Sequence, residues 1–296
     1  MSTEEQLKRR IESTEDLQSV VKTMKALAAV NIRQYEKAAD SLAAYDRTAE
    51  MGLQAVLRHR PGVAVTARAS ESHRVTAVVF GSDQGMCGQL NEQVVGYAAE
   101  TLADMGVASA NHHFMAVGRR AGARLADEGW PVARQFAVPR SLEGVTWLVQ
   151  ELLPAIEVRP PQPVHLFYSR HLSGASYRPV QKRLLPLDRP WLDRLRQEPW
   201  PSNALPLFTL QWDALFSSLI RQYLFVSLFR ATVESLASEN ASRLASMQGA
   251  ERNIGERLEE LRQDYHRRRQ MAITEELLDI VSGFEALAQE EGDREK

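Results

Sequence analysis

One stretch combines glycine with side chains that can do chemistry: Gly81-Ser82-Asp83-Gln84-Gly85-Met86-Cys87-Gly88. Glycines let a backbone approach a phosphate closely, and an Asp and a Cys beside them offer a base and a nucleophile. Neither reading is complete. Gly81, Gly85 and Gly88 miss the dinucleotide fingerprint, and no Gly-Lys-Ser/Thr ending makes a phosphate loop. A nucleophilic cysteine needs a base, normally histidine. The next pair downstream, His112 and His113, has no orienting pattern around it. A tight strand-to-helix turn explains the glycines, and a structural thiol explains Cys87. The seven histidines are scattered without metal-ligand spacing, so no metal, cofactor or catalytic residue is expected. The compact basic run is Arg267-Arg268-Arg269. On a helix these cannot all face one way, and Asp264 stands at i,i+4 from Arg268. The run reads equally as a solvated face or as a collar that meets acidic loops of a partner.

Composition narrows the function classes. Hydrophobic residues make up 44% and charged residues 25%, ordinary for a soluble protein. A net charge of -2, from 36 basic and 38 acidic residues, leaves no field of the kind a dedicated nucleic-acid binder needs. The single cysteine excludes an intrachain disulfide framework and fits a reducing compartment. Met1 to Arg10 is polar and charged, unlike a secretory signal. The most apolar window, Leu219 to Val233, holds Arg221 and Arg230 and is too short and too charged to span a bilayer. Membrane association is therefore expected through a partner.

The elements that must position these residues follow from periodicity. From Trp212 to Ala288 no proline occurs, and Leu215, Leu219, Val226, Val233, Leu236, Asn240, Leu244, Met247, Ile254, Leu258, Leu261, Tyr265 and Ala272 recur at steps of three, four or their sum. That is the seam of a long coiled-coil helix. Ser2 to about Leu57 carries a second stripe: Leu7, Ile11, Thr14, Leu17, Val21, Met24, Ala28, Asn31, Tyr35, Ala38, Leu42, Tyr45 and Ala49. Ser2 with Glu5 reads as a capping box. Many seam residues are Ala, Thr or Asn, which lets two helices approach closely, so the two ends are expected to pack antiparallel as a slim rod. Between them, Val75–Phe80, His113–Val117, Val132–Val138, Val164–Tyr168 and Tyr177–Leu185 read as strands. Pro179 puts the last of these at an edge. Leu90–Met105, Arg119–Glu128 and Leu142–Leu153 read as helices. The alternation predicts a small doubly wound, mostly parallel sheet. Pro186 to Pro206 reads as a linker. The expected division is residues 1–58 as one coiled-coil helix, 59–206 as an α/β domain with linkers, and 207–296 as the second helix with a polar tail.

Several stretches resemble the gamma subunits of F-type ATP synthases. Ser235-Leu236-Ala237-Ser238-Glu239-Asn240-Ala241-Ser242-Arg243-Leu244-Ala245-Ser246-Met247 is similar to that family's C-terminal signature. So is Arg269-Gln270-Met271-Ala272-Ile273-Thr274-Glu275-Glu276-Leu277, continuing through Ile280-Val281-Ser282-Gly283. Ile11 to Arg33, with Met24 and Ala28-Ala29, resembles its first helix, and Ser82 to Asn91 its glycine-rich turn. The resemblance implies a non-catalytic rotor shaft standing in a ring of alpha and beta subunits, with the α/β domain as its foot beside the epsilon subunit on the c-ring. It implies a peripheral place at the cytoplasmic face of a bacterial membrane, with the choice of proton or sodium made by other subunits. Residue by residue, Met24 and Arg243 match positions facing an acidic lever of a beta subunit. Gln270, Thr274 and Glu276 match positions facing catch loops, and the Arg267–Arg269 collar, Arg268 included, gains a role facing those loops. Leu277, Ile280, Val281, Phe284 and Leu287 match an apolar sleeve. Asp83, Gly85 and Gly88 belong to the foot-domain turn.

The chain departs from the family at Gln84, where Arg is common, at Gln89 for a glycine, at Lys25 in a place often acidic, and in the acidic tail after Glu290. These departures point to a divergent branch, a sodium-translocating or accessory bacterial type. Two other readings rest on the same residues: a free-standing coiled-coil adaptor, and a nucleotide-binding α/β enzyme with helical arms.

Overall fold

The computed structural model describes residues 3–59, 74–108, 111–157, 162–201, 204 and 206–294; for Thr3, Ala43 and residues 283–294 only the backbone is described. Ser2 of the expected capping box and residues 60–73, at the start of the expected α/β domain with its linkers, lie outside the described residues. The order is α1 (Thr3–His59), β1 (Val75–Phe80), α2 (Leu90–Asp104), β2 (His112–Val117), α3 (Arg119–Asp127), β3 (Val132–Phe136), α4 (Leu142–Ile156), β4 (Val164–Ser173), β5 (Ser176–Leu185), α5 (Arg189–Gln197) and α6 (Trp212–Arg294). The chain falls into two compact units, one of residues 1–26 with 247–296, the other of 27–246.

In the larger unit the sheet order is β3-β2-β1-β4-β5. The first four strands are parallel, and β5 pairs antiparallel with β4 at the edge, where Pro179 is tolerated. β1, VTAVVF, is buried along its whole length because both faces are covered. Alternate side chains divide between two cores. Val75, Ala77 and Val79 join Phe114, Ala116 and Phe167 under Val94, Ala98 and Leu102 of α2 and Leu125 of α3. Val78 and Phe80 join Leu166 and Tyr168 against α4, with Leu224, Leu228, Val233 and Leu236 of α6 on the same side. The long terminal helix therefore serves as one of the layers over the sheet.

α1 and α6 pair antiparallel within each unit. In the larger one, Asp46 meets Arg230 and Asn31 meets Asn240. In the smaller one, Lys25 meets Glu251 and Glu15 meets Arg262. The expected stripe needs correction in places. Leu17 is 52% exposed and Tyr45 47%, while Ile32, next to the expected Asn31, is buried. A strict pattern of threes and fours drifts against 3.6 residues per turn, so the inward position slips by one. Ala272, expected on the seam, is exposed as well.

The segment expected to be a plain linker contains α5. Pro190 lies in its first turn, where proline initiates rather than breaks a helix. Leu192 and Leu195 pack on Leu53 and Leu57 of α1. Gln54 donates to the carbonyl of Glu198 at 2.6 Å and Arg58 to that of Arg196 at 3.3 Å, satisfying acceptors at the end of α5.

Candidate partner-binding surface

The glycine-rich turn sits at the C-terminal end of β1, beside β4, where the strand order reverses. In open α/β sheets that crevice is where ligands bind. Here α6 fills it. Ser242 Oγ donates to the carbonyl of Cys87 at 2.6 Å, and Ser238 Oγ donates to the carbonyl of Ser169 at 2.8 Å. Gly88, at φ +56°, has room for no side chain, since a methyl there would lie 3.0 Å from Ser242 Oγ. Gly81 is pressed as closely, with its missing methyl 2.5 Å from Ala121 Cβ.

Asp83 is committed to backbone. One carboxylate oxygen accepts from the N–H of Arg119 at the start of α3, the other from the N–H of Val138, both at 2.9 Å. It ties the three turns at this end of the sheet together. Gly85 lies by the Arg120 guanidinium. Cys87 is buried with its Sγ 3.4 Å from Ser82 Oγ, and burial pushes the thiol up from its ordinary value. A thiol so held is a poor nucleophile. Among the described residues no group of acidic, His and Cys side chains could hold a metal.

Arg243, which the resemblance sets against a partner's lever, lies within the chain's own packing. Arg243 is nearly buried and donates through Nη2 to Glu239 Oε1 at 2.6 Å, one turn earlier on α6. Burial raises the Glu239 carboxyl above its ordinary value despite the arginine, and its Oε2 has no partner among the described residues. Tyr35 of α1 is buried too; burial first, and then the Glu239 charge, raise its phenol. From Leu224 to Arg243, α6 is enclosed on nearly all sides, so that polar residues there face protein. The spacing of Arg230, Glu234, Glu239 and Arg243 within an otherwise small and apolar helix was the available signal.

The smaller unit differs in kind. Met24 is half-buried. Lys25 Nζ lies 2.5 Å from Glu251 Oε2, and that hydrogen bond holds Glu251 below the usual carboxylate range. The unusual basic residue at position 25 thus has its own acidic partner. Asp264 pairs at 3.7 Å with Arg267, not with Arg268. Arg268, Arg269, Gln270, Thr274 and Glu276 are all exposed, and Thr274 Oγ1 only donates back to the carbonyl of Gln270. Around them, Met271, Leu277, Leu278, Ile280 and Val281 are each more than half exposed. The Phe284 side chain lies outside the described residues. No helix among the described residues is long and apolar enough to cross a membrane.

The sheet's ligand crevice is filled by the chain's own helix, and among the described residues the far part of α6 is apolar yet uncovered, features of a surface for a protein partner. A sequence profile described as ATP synthase matches residues 3–287. The chain is 29% identical to the ATP synthase gamma chain of Nostoc punctiforme over 94% of its length and 97% of that protein's. It is 26% identical to that of Rhizobium etli, over 95% and 98%. In fold it resembles the rotor of the Euglena gracilis mitochondrial ATP synthase, with a TM-score of 0.62 at 17% identity over 92% of this chain and 99% of that one. The chain belongs to the ATP synthase gamma-chain family.

Proposed function

We propose that this chain is the central rotor shaft of an F-type ATP synthase, coupling rotation of a membrane c-ring to the conformational cycle of the beta-subunit sites. The observation that carries the reading is the end of α6. Its exposed arginines, then Gln270, Thr274 and Glu276, then Leu277, Ile280 and Val281, form a helical surface that no other described residue covers. Long exposed apolar helical surface marks a protein interface. The alpha/beta ring, whose loops and sleeve would enclose these residues, is the partner that fits. Met24 and Arg243 are the residues assigned to the beta levers, and the turn bearing Asp83, Gly85 and Gly88 packs the foot against α6. The c-ring and epsilon subunit hold the foot. The complex sits peripherally at the cytoplasmic face of the membrane and moves protons or sodium ions according to its ring and stator.

The shaft does no covalent chemistry. It shifts three distant sites by making different contacts with each, which is coupling through differential affinity. The test is reconstitution with the alpha and beta subunits encoded beside it. Stable assembly whose ATP hydrolysis depends on this chain supports the shaft. A chain that neither joins the ring nor changes its activity returns the reading to a free-standing coiled-coil adaptor.

A further inference from the structure

A shaft is useful only if its foot cannot slip on its rod. Most of the contact between α6 and the sheet is apolar, and apolar contact is non-directional. Smooth packed helices can slide or rotate by small steps. Something directional must hold the azimuth. Ser238 and Ser242 bond single carbonyls of the foot, and the Arg221–Glu157 and His171–Glu36 pairs each join two elements; among the described residues of the larger unit a further set of charges reaches α1, α6 and the sheet together.

Arg230 and Glu234 stand one turn apart on α6 and reach opposite ways. Arg230 Nη2 lies 2.5 Å from Asp46 Oδ2 of α1. Glu234 Oε2 lies 2.9 Å from Arg170 Nε of β4, and Arg170 Nη2 donates to Tyr168 Oη at 3.2 Å. Between the two pairs, Lys182 of β5 donates to Ser227 Oγ of α6 at 3.0 Å, with its ammonium 5.3 Å from the centre of the Tyr223 ring. Burial pushes the Lys182 ammonium down, while the charges of Asp46, Glu234 and Glu50 favour it and that of Arg230 opposes it. Glu50, one turn along α1 from Asp46, is raised first by burial. The set thus joins α1, α6 and the sheet in one alternating array.

We propose that Arg230–Asp46 and Glu234–Arg170, with Lys182 between them, are the positioning key that locks α6 to the rod on one side and to the foot on the other. The proposal rests on the shaft reading. Both pairs are only partly exposed, so solvent screens them less than surface pairs. Each carries a geometric demand that an apolar contact lacks, and fixing register is the best-attested use of such charges. The core keeps the layers together; the key sets which way they face.

The experiment uses the reconstituted, membrane-embedded complex and reads ions pumped per ATP hydrolysed against an opposing gradient, beside assembly and hydrolysis rate. Arg230→Asp is expected to assemble and hydrolyse ATP but to pump about two-fold less per ATP, since like charges then face each other. The swap Asp46→Arg with Arg230→Asp is expected to recover most of the loss. Should Arg230→Asp not assemble, Asp46→Leu with Arg230→Met keeps an apolar contact in place of the pair. It is expected to assemble and to pump less per ATP. Parental pumping in the variant that assembles, or a loss that the swap leaves unrepaired, overturns the key. If the parental chain itself does not support pumping, the shaft reading falls instead.

Discussion

Two stretches of α6 obey opposite rules. From Leu224 to Arg243 the helix is enclosed by α1 and the sheet, and it carries Ser238, Glu239, Asn240, Ser242 and Arg243 where a core would have leucine. From Met271 to Val281 it is exposed all round, and it carries Met271, Ile273, Leu277, Leu278, Ile280 and Val281 where a surface would be polar. The inversion separates two duties. Buried polar groups are hydrogen-bonded and specify one arrangement within the chain. Exposed apolar groups wait for an arrangement supplied by another chain. The first segment holds the protein's own geometry, and the second is the one proposed above to meet a bearing.

Substitutions can break that contrast. The largest effect is expected at Glu239→Ala, which leaves Arg243 as a nearly buried charge without a counter-ion at a cost of about 3–5 kcal/mol. Glu239→Gln keeps the acceptor and costs less. Urea unfolding of the full chain compares them, and equal midpoints for the two variants would mean that Arg243 finds water instead.

Next comes a pH effect in the sheet. Burial lowers the pKa of His165 on β4 to about 4, and it accepts a hydrogen bond from Gln181 as the neutral ring. The unfolded chain protonates this histidine first, so stability present above pH 6.5 is lost as pH falls toward 4, roughly 3 kcal/mol in all. Denaturation midpoints across that range should slope for the parent and flatten for His165→Phe. A slope unchanged in the variant assigns the effect to other groups.

Ser238→Ala removes one buried hydroxyl that bonds the carbonyls of Ser169 and Glu234. A loss of about 1 kcal/mol is expected, measured the same way. The smallest effect on the chain itself belongs to the uncovered end. Leu277→Asp with Ile280→Asp should change its stability by no more than about 0.5 kcal/mol, as surface substitutions do. The same pair should sharply reduce assembly with the ring, read by co-purification with alpha and beta subunits. Normal assembly would remove the bearing from this end.

Much of the architecture was legible in the chain. The long terminal helices announced themselves through apolar steps of three and four uninterrupted by proline, and β1 through the run VTAVVF. Helix α5 was hidden because its proline-rich flanks read as a linker, although Asp188 and Pro190 are also a helix start. Leu17 was misassigned because a spacing rule cannot see one-residue drift along α1. Arg243 and Glu239 were obscure for another reason: periodicity places a residue on a face but does not say what covers that face.

Sequence by itself determined the family, the two long helices and the alternating strands and helices between them, because these rest on local spacing and on motifs that survive as strings. Tertiary structure alone decided that α6 fills the sheet's ligand crevice, that Asp83 is spent on two backbone N–H groups, and that Arg230 and Glu234 reach to different layers. Those facts depend on residues far apart in the chain meeting across layers. A side chain's partner is set by what packs over it, and the pattern of its own segment does not contain that information.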